Sequence, residues 1–326
     1  MPPPVMTKYF SITFFIITAT LCSRGLSQAP GVAIEEQSSS GLQKEQKDLD
    51  VQIQKLISDK KALTLSEFKK QIDSPVGRTL SLASPSKKRI KPHLIAQKAQ
   101  ESSFRVGVAY LCGNCDKWHT NFGSGYAITS DGVLATCAHV IDPEEKLEDQ
   151  TLVAVNSEGI VFPVVEVVAY HDAMDAALVR IDTKTTPLAF NDLVRPGDES
   201  YCFSRPLNQK GYFSTGIVNR FYWKSTDRGS DQRSLKSLAH LRINVSTDWA
   251  PGSSGSPILD RCGNVIGHVS EIRSMNNRPS KKKAEKDTKP NAPSTLITLH
   301  IGIPARSVRT LALSSQQSDA QKTEGL

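Results

Sequence analysis

Residues Asp248 to Asp260 read DWAPGSSGSPILD, and the fold turns on how that stretch is understood. Five of its residues are Gly or Ser and two are Pro, yet it runs straight into the apolar Ile258 and Leu259. Taken alone, such a loop is an ordinary surface turn. The sharper reading makes Ser254 a nucleophile held up by glycine. Gly252 would let the backbone turn so that its own N–H and that of Ser254 point together, while Gly255 and the small Ser256 keep the turn uncrowded. Two such donors suit a developing oxyanion, where loss of one costs about 3–4 kcal/mol. That reading needs a base, an orienting acid and a scaffold elsewhere in the chain.

Two other stretches offer the base and the acid. TCAHV, Thr136 to Val140, puts His139 at the end of an apolar run that follows an SDG turn. HDAMDAALVRID, His171 to Asp182, puts Asp175 at the head of another. Singly, the first is an ordinary packed histidine and the second an ordinary turn acid. Chemistry joins them to Ser254. A serine hydroxyl attacks poorly near neutral pH unless a base takes its proton. Imidazole, with a pKa of about 6.5, suits that task. A carboxylate then fixes the tautomer and stabilises the imidazolium. The chain order His, Asp, Ser is one of the known orders of such a triad.

The scaffold is β-rich. FRVGVAYLC (104–112), SGYAITSDGVLATCAHVI (124–141), TLVAVNSEGIVFPVVEVVAY (151–170), FSTGIVNRF (213–221) and SPILDRCGNVIGHVSEI (256–272) are short strand-like runs separated by turn signals. This pattern predicts an all-β barrel or sandwich, not alternating βαβ units.

With these residues in place, TCAHV, DAALVRI and GSSGSP resemble the three active-site motifs of trypsin-like serine peptidases. GSGYAITSDGVLATCAHVI, FSTGIVN, DRCGNVIGHVS and HIGIPARSV resemble the HtrA/Deg branch, and Ser256 in GSSGSP is similar to the glutamyl endopeptidases. The resemblance covers Phe104 to Leu313. It implies two packed six-stranded Greek-key β-barrels; the residues before it read as a helical or disordered N-terminal flank, and a short C-terminal helix is expected from near Pro304. It makes His139 the base, Asp175 the orienting acid and Ser254 the nucleophile, with the N–H groups of Gly252 and Ser254 as oxyanion hole. The implied activity is serine endopeptidase on protein or peptide substrates, without cofactor or metal. The different-class alternative is an inactive peptidase-fold protein that binds a peptide or partner. HtrA/Deg proteins usually carry a PDZ domain; the residues after Leu313 are too few for one, so none is expected.

Specificity stays open. Asp248 stands six residues before Ser254, a spacing that resembles the pocket acid of trypsin, although a similar loop acid in HtrA-like proteins has no such task. His268 resembles the pocket histidine of glutamyl endopeptidases but falls one residue early, and in a strand that changes the face. Animal trypsin-like enzymes carry a cysteine just after the base, where Val140 stands here. Cys137 is therefore expected as a small buried residue.

Composition bounds the rest. The 326 residues are 38% hydrophobic and 22% charged, with a formal net charge of +7. Gly41 to Gln100 carries a basic excess of seven and Ile272 to Thr295 an excess of five, which leaves the remaining chain about −5. The basic character thus sits in a flank and a loop, and no nucleic-acid groove is expected on the folded body. The start, MPPPVMTKYFSITFFIITATLCSRGLSQAP, has the order of a secretory signal, ending after Ser27 or Ala29. Its apolar run, Tyr9 to Cys22, is short for a bilayer span of ~20 residues. A secreted or periplasmic protein without stable membrane insertion follows as the expectation.

The expected organisation is a signal peptide at 1–29 and a polar basic flank at 30–100. The flank holds an amphipathic helix at about 41–72 and a flexible linker. The peptidase domain follows at 101–313, then a disordered tail at 314–326. RSMNNRPSKKKAEKDTKPNAPS (273–294) reads as a solvated loop, and Asn244-Val245-Ser246 as a glycosylation sequon on a strand. Cys112 and Cys115, in CGNC, suggest a local disulfide in an oxidising compartment. Zinc held with His119 is the alternative, short of the four ligands of a structural site.

Overall fold

Apolar β-branched runs interrupted by Gly and Asp turns fold into strands, and the strands close into two barrels. The computed structural model describes residues 39–115, 117–142, 149–226, 231–277 and 294–323. The expected signal peptide and the lysine-rich part of the long loop, 278–293, lie outside them. The first barrel contains β1 (Ser103–Leu111), β2 (Trp118–Ala127), β3 (Val133–Thr136), β4 (Gln150–Val155), β5 (Val161–His171) and β6 (Ala176–Ile181). They pair antiparallel in the closed order β1-β2-β3-β6-β5-β4. The second contains β7 (Glu199–Ser204), β8 (Tyr212–Trp223), β9 (Leu241–Val245), β10 (Pro257–Leu259), β11 (Val265–Asn277) and β12 (Ser294–Pro304), closed as β10-β11-β12-β9-β8-β7. This is the expected double-barrel architecture. β11 and β12 form a long hairpin, so Arg273 to Asn277, expected in the loop, are strand.

The flank differs from expectation in form. Its helix is two helices, α1 (Ser39–Ser58) and α2 (Leu65–Asp73). Lys60 breaks the run with a left-handed φ of 53°, and Thr64 starts α2 in a reciprocal cap with Glu67. Leu49 and Ile53 of α1 pack on Ala109, Val153, Val155 and Val161 of the first barrel, and Phe68 of α2 enters its core. The segment expected as flexible lies along the body. Val76 N–H donates to the Val167 carbonyl, Ser86 N–H donates to Asn264 Oδ1, and Leu80 is buried.

α3 (Pro92–Ser102) leads into β1 and buries Ile95 and Ala99 in a cluster fed by both barrels. A short α4 (Leu235–Leu238) precedes β9. α5 (Ala305–Thr323) sends Val308, Leu311 and Ala312 into the same shared cluster, and its backbone stays helical to Thr323, inside the stretch expected as a disordered tail. Asn244 is buried in β9, where Arg220 Nε donates to its Oδ1 and its Nδ2 donates to the His300 carbonyl, so the sequon asparagine is not presented to solvent. Among the described residues no helix is long and apolar enough to cross a membrane.

Candidate active site

Strand pairing brings His139 and Asp175 together. The β3–β6 ladder ends at Thr136 opposite Ala177. His139 follows in a 3-10 turn, Ala138–Val140, three residues past that pair, and Asp175 lies two residues before Ala177. Asp175 takes a left-handed φ of 60°, its N–H donates to the Asp172 carbonyl, and the fully buried Met174 anchors the turn. A non-glycine residue in that conformation is uncommon and gathers at functional positions.

His139 Nδ1 lies 2.8 Å from Asp175 Oδ1, and the His139 backbone N–H donates to the same oxygen at 3.3 Å. Ser270 Oγ donates to Asp175 Oδ2 at 2.5 Å. The hydrogen bond that His139 donates to Asp175 raises the His139 pKa above its ordinary value, against an opposing effect of burial. Burial pushes the Asp175 pKa upward, but the hydrogen bonds from His139 and the Ser270 hydroxyl, with the charge of His139, outweigh it and leave the carboxyl below its ordinary value. With Nδ1 engaged, Nε2 of the half-exposed His139 is left to face solvent or a reactant.

Ser254 sits on the turn between β9 and β10. Ser253 N–H donates to the Ala250 carbonyl and Ser256 N–H to that of Ser253, with Gly252 at φ 96° and Gly255 at φ 85°. A Cβ on Gly255 would lie 2.0 Å from the Ser124 carbonyl oxygen, so only glycine fits there. Neither Gly252 N–H nor Ser254 N–H has a backbone partner among the described residues. The two barrels are tied at this turn: Ser124 N–H of β2 donates to the Ser254 carbonyl at 2.7 Å. Ser124 Oγ donates to the Gly252 carbonyl, and Thr136 Oγ1 donates to the Ser124 carbonyl.

Residues 269 and 270 of β11 connect the pieces. The Val269 carbonyl accepts from Gly255 N–H and from the buried Cys137 Sγ, and Val269 N–H donates to the Ser256 carbonyl. A register shift between Val269 and Glu271 turns Ser270 toward Asp175. Cys137 has the expected small buried role, and burial pushes its thiol pKa well up.

The remaining candidates fall in different places. His268 is fully buried, its Nε2 3.3 Å from the Asp175 carbonyl oxygen, so it offers no wall to a substrate. Burial pushes its pKa down to about 4, which keeps the ring neutral. Asp248 is exposed and lines a cleft of about 190 Å³ with Pro206, Leu207, Tyr212 and Trp249. The expected Cys112–Cys115 disulfide is not formed, and Cys115 Sγ lies 3.1 Å from His119 Nε2.

Ser270, Arg242 and Glu45 were not singled out in the sequence. Ser270 shows there only as one small residue within a strand. Arg242 is buried and donates to the carbonyls of Ala239, Leu241 and Ala173, fastening the turn ahead of Asp175. Glu45 of α1 accepts from Arg105 Nη1 at 2.8 Å, Arg205 Nη2 at 3.0 Å and Lys210 Nζ at 2.8 Å. The Arg205 backbone lies against Gly252, and Leu207 N–H donates to the Pro251 carbonyl, so this charge cluster backs the serine turn.

Comparison with known proteins agrees with this layout. Residues 123–267 match the family of the trypsin-like peptidase domain. A Do-like protease of Arabidopsis thaliana, Do-like 14, is 32% identical over 154 residues, which cover 45% of this chain and 34% of that protein. The mitochondrial serine protease HTRA2 of Bos taurus is 28% identical over 149 residues, covering 44% and 30%. The serine protease HTRA1 of Xenopus laevis is 25% identical over 149 residues, covering 44% and 30%. The match thus spans about a third of the length of these relatives. Residues 123–267, which fall within the two barrels, thus match a trypsin-like peptidase domain, and this part of the chain is similar to the HtrA/Do-like serine proteases.

Proposed function

We propose that the protein is an exported serine endopeptidase whose triad is His139, Asp175 and Ser254. The observation that carries this reading is the Asp175 carboxylate, which accepts from His139 and Ser270 beside the glycine turn that presents Ser254. As the Ser254 hydroxyl attacks a peptide carbonyl, His139 Nε2 takes its proton and Asp175 stabilises the imidazolium. The N–H groups of Gly252 and Ser254 receive the oxyanion. His139 then returns the proton to the leaving amine, and water, deprotonated by His139, releases the acyl group. The catalytic domain is residues 101–313, and the leader at 1–29 directs export to a secreted or periplasmic location. Substrates are proteins or peptides.

The test is digestion of an unfolded protein by the full mature chain, with fragment masses read out. Internal cleavage by the wild type and none by Ser254→Ala is the expected result. Cleavage that persists in Ser254→Ala, or trimming only from substrate ends, contradicts the proposal.

A further inference from the structure

The loop that joins β1 to β2 reads CGNCDKWH, Cys112 to His119, and none of its donors serves the serine site. Leu111 and Trp118 form the last pair of the hairpin, Cys112 N–H donates to the Lys117 carbonyl, and Cys115 N–H donates to the Cys112 carbonyl. This turn gathers the two thiols on the side where His119 projects from β2. Cys112 Sγ, Cys115 Sγ and a ring nitrogen of His119 all lie within 4.8 Å of one another, with Cys115 Sγ and His119 Nε2 3.1 Å apart. Tyr110 stacks on the His119 ring, with centroids 5.8 Å apart, and fixes its plane.

We infer that Cys112, Cys115 and His119 form a binding site for a borderline-soft divalent cation, zinc above all. Thiolate and imidazole are the donors zinc prefers. Ligands at about 2.3 Å for sulfur and about 2.0 Å for nitrogen, in tetrahedral array, stand roughly 3.5 Å from one another. The 3.1 Å between Cys115 Sγ and His119 Nε2, with all three donors within 4.8 Å of one another, admits that spacing. A Cys112–Cys115 disulfide would use both thiols and leave the approach of His119 without a purpose. A shared cation would engage all three groups at once. Cys115 is exposed and the other two are partly so, which gives an ion a way in and leaves its fourth position to water.

The consequence of a cation here is mechanical and not catalytic. His119 lies five residues along β2 from Ser124, or about 17 Å of strand, too far to touch the reaction. Ser124 is the residue whose N–H grips the Ser254 carbonyl, so a cation here would clamp the far end of the strand that holds the serine turn.

The test uses the full mature chain, reduced and freed of metal, titrated with Co²⁺ and then with competing Zn²⁺. The expected result is one Co²⁺ per chain with a thiolate-to-cobalt charge-transfer band, displaced by Zn²⁺. Cys115→Ser, Cys112→Ala and His119→Ala should each weaken binding by roughly tenfold or more, since even outer-shell partners are worth that much. Cys262→Ser, which removes a partly exposed thiol elsewhere, should change nothing. Variants are compared only where their metal-free circular dichroism matches the wild type. Absence of the band in the reduced wild type would overturn the inference, as would a band that survives all three substitutions. So would a native protein that carries a Cys112–Cys115 disulfide and, once reduced, takes up no cation.

Discussion

At the scale of single residues, the proposed chemistry depends on a carboxylate held from several sides. Asp175 accepts from the ring and the backbone of His139 and from Ser270, and its carbonyl oxygen faces His268. A hydrogen bond to a charged acceptor is worth about 1.5–3 kcal/mol, and losing one leaves Asp175 freer to turn from His139. Ser270→Ala should therefore lower kcat by about tenfold, the equivalent of 1.4 kcal/mol, with KM nearly unchanged. Steady-state kinetics on a peptide substrate read this directly. A change confined to KM would make Ser270 a substrate contact instead of a positioning residue for Asp175.

At the scale of elements, α1 reaches the serine turn through Glu45. One carboxylate meets Arg105 from the first barrel together with Arg205 and Lys210 from the second, all with side chains at most one-third exposed. The three cations and the Glu45 hydrogen bonds hold its pKa below the ordinary value despite its burial. Glu45→Ala leaves Arg105 and Arg205 facing each other uncompensated. The expected cost is about 2 kcal/mol in urea unfolding, reduced from the fully buried case by partial exposure. Because Arg205 backs Gly252, kcat should fall as well. A variant with wild-type stability and wild-type kcat would show that α1 merely rests on the barrel.

These elements also mark how far the sequence could be read. His139, Asp175 and Ser254 were visible because each lies in a short motif at a strand end, and turn chemistry is local. The strand runs were visible because β-branched residues and Gly turns are local signals too. Ser270 was not, because a β-bulge that reorients one side chain depends on the register of two strands. Glu45 was not, because its partners lie 60 to 165 residues away in sequence. The break at Lys60 was partly legible, since Thr64 and Glu67 stand at the spacing of a reciprocal cap. The docking of the linker was not, because it rests on side chains such as Asn264 that belong to the second barrel.

For the whole molecule, the buried histidine behind the site sets a dependence of stability on acid. His268 titrates near 6.5 when unfolded and near 4 in the native state, where burial disfavours its charged form. The unfolded chain therefore binds more protons between those values, and this contribution to stability is intact above pH 6.5 and lost as pH falls toward 4. The loss amounts to about 3 kcal/mol at full extent. His268→Gln should flatten the slope of unfolding free energy over that window, and an unchanged slope would assign the acid sensitivity to other groups.

The central claim is an assembled His139–Asp175–Ser254 site, and labelling of the full mature chain with a fluorophosphonate probe tests it most directly. Such a probe reacts with a serine only when that serine is activated. The account predicts labelling of the wild type and none of folded Ser254→Ala or His139→Ala. A folded wild type that stays unlabelled, or a label that survives Ser254→Ala, would contradict it.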